Sequence, residues 1–201
     1  MPIEIEAKIR VEDLRQLEEK LRAIDARCIE SVREEDIYFD ATDGKLAACG
    51  CGLRLRKRQS VVVKTMADKN CGVAGGDEEI ILTYKGPVGR SVYKSRAEIE
   101  VKVSDFASAM GILESLGYQK RIAFEKRRRV FGLGGCLVCL DELPVLGSFV
   151  EVEGPDEDAI GRVLKSLDLD GREHISQGYA KLMSRAVRDS GSREIFFEKQ
   201  Q

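Results

Sequence analysis

The chain has 201 residues, 43% hydrophobic and 34% charged, with a formal net charge of −2. That length supports one domain with a real core, and the charge balance excludes a polyanion binder working by bulk attraction, so any anion site must come from clustering. With no apolar run long enough for a bilayer and no secretory leader, no membrane partner and a cytoplasmic, reducing location are expected.

Residues 3–9 read as a strand in which Glu4, Glu6 and Lys8 alternate with Ile3, Ile5, Ala7 and Ile9. Residues two apart share a face, so two carboxylates and an ammonium line one side and apolar groups the other. Glu12 to Ala26 carries Leu14, Leu17, Leu21 and Ile24 near helical spacing and predicts an amphipathic helix. Arg33 to Asp40 predicts a second strand, followed by a turn at Thr42-Asp43-Gly44. Leu53 to Arg58 alternates strictly, with Leu53 and Leu55 against Arg54, Arg56 and Arg58. Residues 59–78 end in a Gly- and Asp-rich stretch that predicts a mobile hairpin loop. Glu79 to Lys85, closed by Gly86-Pro87, and Ser95 to Val103 predict two more strands. A helix follows, with Ser104 as N-cap, Asp105 in its first turn and Gly117 just past its end. Arg121 to Phe131, Leu137 to Asp141 and Ser148 to Glu153 complete eight strands. Helices are expected over Asp156 to Leu167 and Ser176 to Val187, and the polar tail from Arg188 is expected to fray. The reading is one domain over residues 1–187 with a tail over 188–201.

Six cysteines, Cys28, Cys49, Cys51, Cys71, Cys136 and Cys139, read as thiols in a reducing compartment. Cys136 and Cys139 lie three apart, which on a strand sends them to opposite faces. With one histidine in the chain and no second clean pair, zinc is not expected. His174, between Glu173 and Ile175 in a loop, reads as a surface residue. The basic run Lys126 to Arg129 could suggest nucleic acid, but on a strand only Lys126 and Arg128 share a face. The chain also has no Trp for base stacking, so no nucleic-acid partner is expected.

The charged faces gather by strand: Glu4, Glu6, Lys8; Arg54, Arg56; Lys85; Arg96, Glu98, Glu100; Lys126, Arg128; Asp141; Glu151, Glu153. The opposite faces hold Ile3, Ile5, Leu53, Leu55, Ala97, Ile99, Val101, Val150 and Val152, a surface for amphipathic helices. If about eight antiparallel strands curl with helices packed outside, the charges point into the lumen of a barrel. Charges of both signs in a confined lumen are costly unless they meet a ligand. Carboxylates suit Mg²⁺ or Mn²⁺, and guanidinium and ammonium groups suit phosphate oxygens. A polyphosphate bridged by divalent metal satisfies both sets.

The Glu4-Ile5-Glu6-Ala7-Lys8 run resembles the ExExK signature of the CYTH family, the triphosphate tunnel metalloenzymes. The likeness continues through Asp36-Ile37-Tyr38-Phe39, Leu53-Arg54-Leu55-Arg56, Tyr84-Lys85-Gly86-Pro87 and Arg96-Ala97-Glu98-Ile99-Glu100. It runs on through Glu125-Lys126-Arg127-Arg128, Asp141-Glu142-Leu143-Pro144, Leu146 to Glu153 and Gly178-Tyr179-Ala180-Lys181-Leu182. It spans roughly residues 1–183 and makes segment 59–78 an insertion relative to shorter members.

The resemblance implies an α+β protein, mainly antiparallel β, built on an eight-stranded closed β-barrel. It implies that Glu4, Glu6, Glu151 and Glu153 hold Mg²⁺ or Mn²⁺, with Glu98, Glu100 and Asp141 helping or completing a second site. It further implies that Lys8, Arg54, Arg56, Lys85, Arg96, Lys126 and Arg128 bind a triphosphate, with Lys8 also a candidate base beside the catalytic Glu4 and Glu6. The implied activity is that of a class IV adenylyl cyclase, converting ATP to cyclic AMP and pyrophosphate. Inorganic tripolyphosphatase comes next, thiamine triphosphatase third, and a non-catalytic polyphosphate-binding module last. A homodimer would match several relatives.

Overall fold

The computed structural model describes residues 3–61, 78–89, 92–188 and 191–197. Nine strands and five helices follow in the order β1 (Ile3–Val11), α1 (Leu14–Ala23), β2 (Arg27–Ala41), α2 (Lys45–Ala48), β3 (Gly52–Ser60), β4 (Glu78–Lys85), β5 (Lys94–Val103), α3 (Phe106–Ser115), β6 (Tyr118–Leu133), β7 (Cys136–Leu143), β8 (Gly147–Gly154), α4 (Glu157–Ser166), α5 (Tyr179–Ala186) and β9 (Glu194–Ile195). The expected strands are all present, most of them longer than the alternation alone suggested. Residues 62 to 77, the core of the expected insertion loop, lie outside the described residues.

Eight strands close a barrel in the order β2-β3-β4-β5-β1-β8-β7-β6, sealed by antiparallel pairing of β6 with β2. Closure requires β2 and β6 to be long, 15 and 16 residues, because they pair along nearly their whole length. Alternation then sends every second side chain into the lumen. The register sets opposite charges across from one another: Lys8 opposite Glu151, Asp36 opposite Arg56, Lys85 opposite Glu98, Arg128 opposite Asp141.

The outer face is covered unevenly. Helices α1 and α4 bury Leu17, Leu21, Ile160 and Leu164 on Ile9, Val138, Val150 and Val152. Helix α3 covers Ile37, Phe39 and Leu55 with Ala109 and Leu113. Its N-cap is Asp105 rather than the expected Ser104: the Asp105 carboxylate accepts from the Ser108 N–H at 2.6 Å, one residue further into the chain. Ile3, Ile99 and Val101, expected to lie beneath a helix, are instead exposed, because no described helix extends over that part of β5.

Helix α5 seats Met183 and the Tyr179 ring on Ile122, Phe124, Leu143 and Phe149. Phe149 stands opposite Asp141 and Phe124 opposite Asp36, so these are lumen-facing positions and α5 closes one end of the barrel. The tail corrects an expectation as well. Glu194–Ile195 pair in parallel with Ala123 and Phe124 of β6, and Ile195 is buried. Strand β7 is shorter than β6 and leaves that stretch of β6 to β9.

Cys28 is disulfide-bonded, against the expectation of thiols throughout; composition carries no information on which cysteines meet in space. Cys49, Cys51, Cys136 and Cys139 are free. Among the described residues, no helix is long and apolar enough to cross a membrane.

Candidate active site

The lumen is an open cavity of about 170 Å³. Of the fourteen residues picked from the sequence, thirteen line it: Glu4, Glu6, Lys8, Arg54, Arg56, Lys85, Arg96, Glu98, Glu100, Lys126, Arg128, Glu151 and Glu153. The fourteenth, Asp141, is fully buried behind the wall. It accepts two hydrogen bonds from Arg128, at 2.6 and 2.5 Å, and one from the Tyr179 hydroxyl at 2.9 Å. His174 does not line the cavity; its ring meets the Tyr93 ring edge-on at 5.1 Å. Arg127 and Arg129 point outward as alternation requires, toward Glu142 and Glu18.

The side of the cavity formed by β2, β6 and β7, called its floor, is saturated with ion pairs. Arg56 donates to Asp36 through Nε (2.6 Å) and Nη2 (2.8 Å) and to Glu34 through Nη1 (2.9 Å). Lys126 lies 3.0 Å from Glu34 and 3.6 Å from Asp141. Arg128 joins Asp141 to Glu151. Lys8 is 2% exposed. Its Nζ sits 3.1 Å from Glu151, 3.8 Å from Glu6, 3.1 Å from the Gln177 carbonyl and 4.1 Å from the centre of the Tyr179 ring. Burial alone would raise the carboxyl of Glu34, but Arg56, Lys126 and Arg128 hold it well below the carboxylate range. Lys8, Arg128 and Lys126 likewise overcome burial at Glu151. These carboxylates stay ionised because cations surround them.

The opposite side, formed mainly by β1, β4 and β5 and called its mouth, is built differently. Glu4 and Glu98 share a hydrogen bond, and Glu153 lies beside Glu4. Burial, then the neighbouring Glu98, push Glu4 up to about 9. One oxygen of Glu98 is buried with no hydrogen-bond partner, as are Nε of Arg54 and Nε of Arg96; one oxygen of Glu34 on the other side also lacks one, but Lys126 lies 3.0 Å from it. Lys85 pairs with Glu98 and Lys94 with Glu6. Burial and the nearby Arg54 push Lys85 down to about 8. Arg54 reaches Glu100 at 3.1 Å and Thr83 at 3.0 Å. Arg96 rests one N–H on the Gly50 carbonyl at 3.0 Å.

The donor set at the mouth fits a hard divalent cation. Glu98 and Glu153 stand close enough to Glu4 to oppose its ionisation, and one oxygen of Glu98 has no hydrogen-bond partner. The fit is not a preassembled coordination sphere: among the described residues no three His, Cys, Asp or Glu groups already converge on one point. Lys85 occupies part of Glu98 and Lys94 part of Glu6 instead.

Several lining residues escaped the sequence reading: Asp36, Tyr38, Lys94, Cys139 and Tyr179, with Glu34 behind them. The alternation of Glu34, Asp36 and Tyr38 with Glu35, Ile37 and Phe39 was a usable signal for β2. Lys94 lies one residue before the expected start of its strand. Tyr179 reaches the lumen from a helix, and no strand pattern could have placed it there.

The CYTH domain model matches residues 2–177. Adenylate cyclase CyaB of Aeromonas hydrophila is 30% identical over 150 residues, covering 74% of this chain and 67% of that protein. The structure of the PH1819 protein from Pyrococcus horikoshii OT3 superposes with a TM-score of 0.74 at 26% identity, covering 90% of this chain and 98% of that one. HpAC1 from Hippeastrum, an adenylyl cyclase homologue with a dominant triphosphatase activity, shares the fold at a TM-score of 0.59 and 18% identity, over 92% of this chain and 94% of that one. With the barrel closed, its lumen charged and the domain match covering most of its length, this chain belongs to the CYTH family.

Proposed function

We propose that the chain is a metal-dependent enzyme acting on a triphosphate held in the lumen, and that its reaction is the conversion of ATP to cyclic AMP and pyrophosphate. The carrying observation is the mouth: the buried Nε atoms of Arg54 and Arg96 have no hydrogen-bond partner, and burial with the neighbouring carboxylates pushes Glu4 up to about 9. Neither set is satisfied by the protein alone, and a metal–triphosphate complex satisfies both.

In this reading Glu4, Glu98 and Glu153 hold Mg²⁺ or Mn²⁺, with Glu6, Glu100 and Glu151 within the same wall. The metal supplies Lewis-acid neutralisation of phosphate charge when bound. Arg54, Arg96, Lys85 and Lys94 grip the phosphate oxygens and stabilise charge on the departing pyrophosphate. Arg56, Lys126 and Arg128 are already neutralised by Glu34, Asp36, Asp141 and Glu151, so they fix the floor and add to the field there. Asp141 acts on the reaction through Arg128, which it orients. Lys8 is the candidate base, and a pH–rate profile unchanged in Lys8→Arg would remove it from that role. One domain over 1–187 in the cytoplasm, where nucleoside triphosphates abound, completes the reading.

Hydrolysis of inorganic tripolyphosphate or an organic triphosphate is the second reading. It is favoured by a lining whose only aromatic rings among the described residues are Tyr38 and Tyr179, both set among charges. A product assay with ATP and, separately, tripolyphosphate, each with Mg²⁺ and Mn²⁺, decides between them. Cyclic AMP with pyrophosphate supports cyclisation, and orthophosphate with ATP left intact supports hydrolysis. Tight binding of either without turnover would refute the enzymatic reading.

A further inference from the structure

Strand β1 pairs with β8 from Ile5 to Val11, but with β5 only from Ile3 to Glu6. On the β5 side, the backbone at Lys8 therefore meets no paired strand among the described residues. It meets the segment that leads from α4 into α5: the Ile175 N–H donates to the Lys8 carbonyl at 2.8 Å. Ile175 is itself packed against the apolar cluster that seats α5.

Two residues further on, the same segment takes the other end of Lys8. The Gln177 carbonyl accepts from Lys8 Nζ at 3.1 Å. A free lysine side chain explores many rotamers, and a hold on both its backbone and its Nζ selects one reach into the lumen. Nζ also meets Glu151 at 3.1 Å and Glu6 at 3.8 Å, but other cations compete for both: Arg128 pairs with Glu151 and Lys94 with Glu6. The Gln177 carbonyl has Lys8 as its charged partner. Gln177 is held in turn. Its side-chain oxygen accepts from Arg185 of α5 at 3.1 Å, and Gly178, the next residue, is the N-cap of that helix. Tyr179, the first residue of α5, places its ring centre 4.1 Å from Nζ. The start of α5 thus sets the direction of the carbonyl that Lys8 meets.

We propose that residues 175–177 set the position of Lys8, with Gln177 as a positioning residue whose carbonyl holds Nζ in the lumen and Arg185 as the anchor of its side chain. The consequence for the reaction rests on the reading of Lys8 as the candidate base; the hold on Lys8 does not.

Reductive methylation of the metal-free full chain, read lysine by lysine by mass spectrometry, tests the hold without using activity. In the parent, Lys8 at 2% exposure should label roughly tenfold or more slowly than Lys102, whose side chain is 73% exposed. Gln177→Gly frees the carbonyl from its anchor and should raise the Lys8 rate roughly threefold or more. Ile175→Pro deletes the N–H on the Lys8 carbonyl and should raise it further. Gln177→Glu keeps an oxygen for Arg185 and should label as the parent does. With ATP or tripolyphosphate, whichever the product assay selects, Gln177→Gly should lower kcat about tenfold with KM within about twofold of the parent, because a displaced base loses rate rather than binding. In a Lys8→Ala background it should lower kcat no further. Faster labelling with kcat unchanged upholds the hold and removes Lys8 as the base, so the two readings fail separately. Lys8 labelling unchanged in both Gln177→Gly and Ile175→Pro overturns the proposal, whatever happens to kcat. So does a further loss of kcat in Lys8→Ala, since Gln177 would then act without Lys8. Where Ile175→Pro fails to fold, the labelling of Gln177→Gly decides.

Discussion

The two sides of the lumen hold the same residue types in opposite states. At the floor every carboxylate has a cation and every guanidinium an acceptor: Arg56 with Glu34 and Asp36, Arg128 with Asp141 and Glu151, Lys8 with Glu151. At the mouth burial and Glu98 push Glu4 up to about 9, and Arg54 and Arg96 each keep a buried nitrogen without a partner. Ion pairs that satisfy one another hold a fold in shape; ones that do not are left for a ligand. Counting charges in a lumen therefore says little about where it binds, and counting unmet hydrogen bonds says more.

The largest expected effect tests the floor. Asp36→Ala strands the buried Arg56 with one carboxylate, and should cost ~3–5 kcal/mol of stability by denaturant unfolding. A loss under ~1 kcal/mol would mean that water already reaches the pair. The same kind of change at the mouth should act with opposite sign. Glu4→Gln removes a carboxyl whose ionisation is opposed, so metal-free stability should hold or rise, while metal-dependent turnover should fall ~100-fold or more. If Glu4→Gln unfolds the protein or leaves turnover intact, the two sides do not differ as argued.

pH sharpens the contrast. In the metal-free protein, the contribution of Glu4 to stability is complete below its unfolded value of 4.5 and is lost as pH rises through about 9. Glu34 and Glu151, held low by cations, contribute above that unfolded value and lose their contribution on acidification. In EDTA the parent should thus lose more stability than Glu4→Gln between neutral pH and pH ~9, and Mg²⁺ should close the gap. Parallel pH curves for the two proteins would show that Glu4 titrates as an ordinary carboxylate.

Two smaller effects follow. Arg54→Ala removes a charge-assisted partner at the mouth, and should weaken triphosphate binding by ~1.5–3 kcal/mol, roughly 10- to 100-fold. Unchanged binding in a titration would place the phosphates elsewhere. Tyr179→Phe deletes only the hydroxyl that donates to Asp141, and should cost ~1 kcal/mol of stability, with Arg128 still covering the carboxylate. A much larger loss would show that the floor depends on that bond as a network.

The strands were legible because each alternates charge with apolar residues, and Glu4-Ile5-Glu6 or Arg54-Leu55-Arg56 admits one facing once the apolar side is buried. Most of the lining followed from the same rule. Asp141 shows where the rule stops: it faces inward on β7, yet Arg128 and Tyr179 enclose it so that it never meets the lumen. Facing is a property of one strand, whereas access depends on what arrives from others.

What the sequence determined by itself was local and periodic: strand faces, the helix at Leu14–Ala23, the charged lumen and the family signature. The tertiary structure alone decided which charges neutralise each other, because partners such as Lys8 and Glu151 are joined by cross-strand register rather than by spacing. It alone brought α5 into one end of the barrel and made β9 from a polar tail. Each of these depends on where strands of unequal length begin and end around a closed barrel, and alternation along a single strand carries no record of its neighbour's length.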